Sequence, residues 1–142
     1  MMYTGNYADV KGGVAIIDLN TFEVEETIDF GVGVAGFDID SNGMIYVAMS
    51  DYDASWNATC GIMKYDSEIN AVINDAQNLI FEAPYVVMGF YIDSNDRLYL
   101  PLYTTDNINY EDPDSLKVFE NEQIVKTIET GNGPQMMVEV EI

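Results

Sequence analysis

The sequence contains no histidine, one cysteine (Cys60), one tryptophan and only five basic residues in 142 positions. Without histidine, no Ser-His-Asp or Cys-His nucleophile and no histidine-ligated metal can be assembled. A single cysteine excludes an internal disulfide. The cations Lys11, Lys64, Arg97, Lys117 and Lys126 are scattered along the chain. Binding a phosphate backbone needs such groups gathered at one surface, so nucleic acid and anionic membrane are poor partners, and neither nucleic-acid binding nor membrane insertion is expected. No apolar run reaches the ~18 residues of a membrane-spanning helix. The opening Met1-Met2-Tyr3-Thr4-Gly5 shows neither the basic stretch nor the apolar core of a secretion signal.

What is present is acid and apolar surface. Twenty-five carboxylates give a formal charge of −20 and a pI near 4.1. Charge of that size is one mark of disorder. Against it, 48% of residues are apolar and 12% aromatic, including ten tyrosines. Such a chain buries enough surface to offset its ordering entropy, and its length suits one domain, residues 1–142.

The chain repeats itself. Residues 36–47 read GFDIDSNGMIYV and residues 89–100 read GFYIDSNDRLYL, which places Tyr46 and Tyr99 at an offset of 53. The opening MMYTGNYAD echoes the second half of that unit, with Tyr3 in the place of Tyr46. ETIDFGVG (26–33) returns as KTIETGNG (126–133). Within the unit, Phe37, Ile39, Ile45 and Val47 alternate with polar neighbours, the period of half-buried strands. Asn42-Gly43 is a hairpin signal because both positions accept positive φ; Asn95-Asp96 is a weaker version. Further strands are expected at 14–18, 25–29, 61–66, 78–82, 115–120, 123–129 and 136–142, and residues 67–77 are expected as a loop. No segment has helical periodicity.

About four short strands per unit is the pattern of a β-propeller blade. The repeat resembles the YVTN/NHL-type propeller family. Ile45-Tyr46-Val47 stands for its IYV strand after a D-x-N-G turn, Ile17-Asp18 for the following strand, and Thr127-Ile128 with Gly131-Asn132-Gly133-Pro134 for the outer strand and its exit. The resemblance implies an all-β propeller of four-stranded antiparallel blades, about three per chain, and no particular activity, since one fold hosts many.

On that plan the full blades are 36–82 and 88–129, and a split blade combines 1–29 with 136–142. Three blades are too few to close a ring, and open edges invite pairing. Two outcomes are expected: half of a six-bladed ring closed by twofold self-association, the last strand of each copy completing the first blade of the other, or an excerpt of a larger propeller.

Candidate chemistry is sparse. Residues 38–45 match the start of an EF-hand calcium loop, but Met49 stands where a bidentate Glu is required; a hairpin turn is expected instead. Two long strand connections, 50–60 and 103–114, are expected on one face with the links at 30–35, 83–87 and 130–135. That face carries Asp51, Asp53, Asp106, Glu111, Asp112 and Asp114, interleaved with Tyr52, Trp56, Tyr103 and Tyr110. Its carboxylates suit Ca²⁺ and its aromatics suit sugar rings or partner side chains; otherwise it is a solvated acidic rim. Asn57-Ala58-Thr59 is a glycosylation sequon. Cys60, with no nearby base, reads as packing. The function expected is a non-catalytic binding and assembly module at a cell surface or outside the cell, for a protein or carbohydrate ligand. The alternatives are a calcium-dependent, lactonase-like propeller hydrolase and a structural component of a virion or filament.

Overall fold

The computed structural model describes residues 1–3, 5, 9–87, 89–104 and 114–131. The described chain is all-β, with three antiparallel sheets and no helix. The first sheet joins β1 (Met2–Tyr3), β2 (Gly13–Ile17) and β3 (Val24–Asp29) in that order. The second runs β4 (Val34–Ile39), β5 (Met44–Tyr52), β6 (Ala58–Asp66), β7 (Ala71–Asn74), with β8 (Phe81–Ala83) also on β6. The third runs β10 (Tyr91–Ile92), β11 (Leu98–Thr104), β12 (Ser115–Glu120), β13 (Gln123–Glu129), with β9 (Tyr85–Val86) also on β11.

The second sheet is packed on both sides, and period-2 alternation does it. On β5, Ile45, Val47 and Met49 join Val14 and Ile28 of the first sheet, together with Met63 and Tyr65 from β6. The intervening Tyr46 and Ala48 face the other way with Cys60 and Ile62, against Leu98, Leu100, Leu102 and Phe119 of the third sheet. That two-sided burial explains the nearly unbroken apolar run at 45–49. Each fully buried Ile or Leu there is worth about 1.5–3 kcal/mol. The outer strand β13 is exposed along its whole length.

One turn design recurs. Asp40 Oδ1 accepts the N–H groups of Asn42 and Met44, both at 2.9 Å, and the Gly43 N–H donates to the Asp40 carbonyl. Only Gly43, at φ 82°, enters the left-handed region. The turn is therefore a three-residue loop with a glycine bulge, not the two-residue Asn-Gly turn expected from sequence. Asp93 builds the same turn, with Asp96 at φ 59° in the glycine position. The two-residue turn with both φ values positive occurs instead at Asn121-Glu122, between the paired Glu120 and Gln123.

Several expectations change. The loop expected at 67–77 contains β7, and the fourth strand is split: β7 covers one half of β6 and β8 the other, interrupted at Asp75–Asn78 by a turn on the Asp75 carboxylate. The long connection expected at 50–60 shrinks to residues 53–57, because β5 and β6 stay paired out to Tyr52 and Ala58. Tyr3 does not repeat Tyr46. It lies over Gly13 on the face opposite Met2 and Val14, so the register of the echo slips by one residue and changes face. The segment 136–142 lies outside the described residues.

Candidate functional site

The strands of the second sheet have two ends, roughly 25–30 Å apart by the rise of a nine-residue strand. At one end lie the turns at 40–44, 93–97 and 121–122. At the other lies the connection 53–57.

Sequence reasoning placed its candidates at the second end. Asp51 is there, but its carboxylate is engaged: Oδ2 meets Lys11 Nζ at 3.4 Å and accepts the Gly33 N–H at 3.1 Å. It ties the link at 30–33 and the residues before β2 to β5. Asp53 builds the third copy of the aspartate turn. Its Oδ1 accepts the N–H groups of Ser55 and Asn57, and its Oδ2 accepts Asn57 Nδ2 at 2.8 Å. Those bonds, the Asn57 side chain foremost, hold the Asp53 carboxyl below the usual carboxylate range. Asn57, the sequon residue, therefore has its amide nitrogen turned into the loop. Trp56 occupies the left-handed position at φ 63° and is 76% exposed. The half-buried Tyr52 ring lies 5.9 Å from the indole and is tilted by 54°.

Asp114 is buried at 5% exposure and is no part of a solvated rim; its carbonyl accepts the Thr130 N–H. Asp106, Tyr110, Glu111 and Asp112 lie outside the described residues. Among the described residues, no three Asp, Glu or Cys side chains converge as a metal would require. At 38–45 the Asp40 carboxylate is spent on backbone N–H groups of a hairpin. Cys60 is fully buried, and burial pushes its thiol up to about 11.

Sequence reasoning missed the opposite end. Two adjoining clefts share Asp96 and Asn121: one of about 520 Å³ at the turn end of the third sheet, and one of about 440 Å³ between the turn ends of the second and third sheets. Lys64 pairs with Glu122 across the sheets, and its ammonium sits 5.1 Å from the centre of the Tyr46 ring. Burial raises the Tyr46 phenol. For Lys64 burial acts the other way, but the bonds to Glu122 and Tyr46 prevail and raise it. Asp96 receives both the N–H and the hydroxyl of Ser41, at 2.8 and 2.6 Å, which lock the two turns together and lower its pKa. Nearby, Asp93 is 7% exposed and accepts four hydrogen bonds, from Asn95 and Arg97 backbone N–H, Arg97 Nε and the Tyr99 hydroxyl, and its Oδ2 also pairs with Arg97 Nη2 at 2.6 Å. Lys64, Glu122, Asp93, Asp96, Arg97 and Ser41 all have internal partners here, which makes this end a clasp between sheets. The one sequence signal for it was Lys64, a rare cation inside a strand.

The contrast leaves the Tyr52–Trp56 turn as the candidate binding feature. There an exposed tryptophan in a left-handed backbone lies against Tyr52 and follows the Asp53 cap. No protein-family model, curated protein or solved structure matches this chain.

Proposed function

We propose that this chain is a non-catalytic binding and assembly module built on β-propeller-type blades and working outside the cell or at its surface. The observation that carries the reading is the stacking of consecutive antiparallel meanders face to face, with the second sheet buried on both sides. A radial array of blades packs in this way. The equivalence of positions supports it: Ile45, Val47 and Met49 face the preceding sheet, and so do Leu98, Leu100 and Leu102 at the same offset of 53.

The disposition of the acids supports a role without catalysis. Asp18, Asp29, Asp40, Asp53, Asp66, Asp75 and Asp93 all accept backbone N–H groups of their own turns. A carboxylate so occupied is a structural cap.

Assembly is the second half of the proposal. Among the described residues the first sheet has three strands, with none paired to β1 where β4 and β10 stand in the other sheets. A strand from a second copy would fill it with twofold symmetry. Light scattering on the purified chain tests this: twice the 15.9 kDa chain mass is expected, and a monomer over the micromolar range overturns self-association.

A further inference from the structure

The fold sets a glycine directly after an asparagine. The turn joining β4 to β5 is capped by Asp40 and needs its fourth residue in the left-handed region, at φ 82°, where glycine fits without strain. That residue is Gly43, and the one before it is Asn42. A glycine leaves its own nitrogen unshielded, and that nitrogen can attack the neighbouring asparagine side chain. The matching turn between β10 and β11 has the same cap but reads Asn95-Asp96. There the Asp96 side chain flanks the nitrogen and is tied to Ser41.

The closed turn opposes that attack. The Gly43 N–H donates to the Asp40 carbonyl at 3.0 Å, and the Asn42 and Met44 N–H groups share Asp40 Oδ1, both at 2.9 Å. Ser67 Oγ donates to the Gly43 carbonyl at 3.2 Å, so both ends of that residue are held. To act as a nucleophile the Gly43 nitrogen must give up its proton, and with it the bond to Asp40. Asn42 is exposed and lines the cleft between the two sheets, so water reaches it once the turn opens.

We propose that Asn42 is a site of spontaneous deamidation gated by the Asp40 turn: closed, the side chain stays an amide; opened, it commits to a carboxylate. The Gly43 nitrogen loses its proton and bonds to Asn42 Cγ, the side-chain nitrogen leaves as ammonia, and a cyclic succinimide forms. Water then opens the ring on either side, giving aspartate or isoaspartate; nothing is oxidised or reduced. Isoaspartate lengthens by a carbon a loop whose ends are fixed by the Ile39–Ile45 pair. Either product adds a negative charge beside Ser41, in the cleft lined by Asp40, Asp96 and Glu122. Repulsion among these acids opposes the Ser41–Asp96 contact between the turns. The change is one-way, so a chain whose turn has opened stays marked. It is independent of the binding role proposed above.

Peptide mapping by mass spectrometry, on the intact chain incubated near neutral pH, resolves Asn42 from the second Asn-Gly of the sequence, Asn132-Gly133. Asn42 is expected to convert at least about tenfold more slowly than in a free peptide of residues 36–47, because only the locally opened turn reacts. Asp40→Ala is expected to speed the conversion about fivefold, the effect of one lost cap on the population of the open turn. Asn95 should stay an amide throughout. A second measurement needs no variant: in rising urea below the unfolding midpoint, conversion at Asn42 should increase before far-UV circular dichroism changes. Conversion as fast in the native chain as in the peptide, equal rates with and without the Asp40 carboxylate, a urea response that only follows global unfolding, or conversion of Asn95 at the rate of Asn42 overturns the proposal.

Discussion

Replacing Asp93 tests the physical account of the turns more sharply than any other single change. Its carboxylate is almost fully buried, accepts four hydrogen bonds, two from backbone N–H groups and two from the Arg97 and Tyr99 side chains, and pairs with the Arg97 guanidinium. The equivalent Asp40 caps the same turn but accepts two backbone bonds. A lost turn cap costs about 1 kcal/mol, which sets the expectation for Asp40→Ala. Asp93→Ala loses that and also orphans the guanidinium, although Arg97 is 39% exposed at its side chain and turns partly to water. Together these give about 3 kcal/mol. At this chain length 1 kcal/mol moves Tm by roughly 3–4 °C, so falls of about 10 °C for Asp93→Ala and about 3 °C for Asp40→Ala are expected. Far-UV circular dichroism on heating is the assay, because the exposed Trp56 reports poorly on unfolding. Titration adds a second reading. Burial alone would raise the Asp93 carboxyl, but the Arg97 side chain, the two backbone N–H groups and Tyr99 outweigh it and bring it down to about 2, from an ordinary 3.8. The folded group thus titrates below the unfolded one. Its stabilisation, ~1–2 kcal/mol after allowing for solvent screening, is fully present above about pH 4 and is lost as pH falls through about 2. Asp93→Asn should flatten stability across that window. Equal losses for the Asp40 and Asp93 variants, or an unchanged acid limb in Asp93→Asn, would refute the reasoning.

Leu100, fully buried between the second and third sheets, should cost about 3 kcal/mol as Leu100→Ala. Ile124→Ala on the exposed outer strand should stay within about 0.5 kcal/mol; urea midpoints distinguish the two, and similar values would mean the sheets do not stack as described. Cys60, with its thiol pushed up to about 11 by burial, should resist an aromatic disulfide reagent in the native protein and react only at the rate of unfolding. Rapid labelling without denaturant would contradict its placement in the core.

Strand positions were legible wherever alternation and turn chemistry agreed. Residues 115–120 and 123–129 form β12 and β13 with the expected bounds, because Asn121-Glu122 separates two runs of clean patterning. The segment 71–74 was not legible. Ala71, Val72, Ile73 and Asn74 make too short a run, and Asp75 divides the fourth strand into pieces that only β6 holds in line. The turn at 53–57 was hidden because Trp56 stands where a glycine would announce the bulge. Tyr52 and Trp56 were legible only as two aromatics of one face; their ring contact depends on the hidden turn. The clasp of Tyr46, Lys64, Asp96 and Glu122 was not, because it draws single residues from four strands and turns of two sheets; no local motif marks it.

The acid content of this chain has two separate consequences. Locally, an aspartate at the head of a tight turn replaces backbone partners that the chain reversal takes away, and in a protein made of hairpins that need recurs at nearly every reversal. These caps stand at separate reversals, and among the described residues no three Asp, Glu or Cys side chains converge as a metal would require. At long range the same charges remain uncancelled, because only Lys11, Lys64 and Arg97 form ion pairs among the described residues. Turn caps can satisfy hydrogen bonds but cannot neutralise a field. A field of that sign favours cationic over anionic partners.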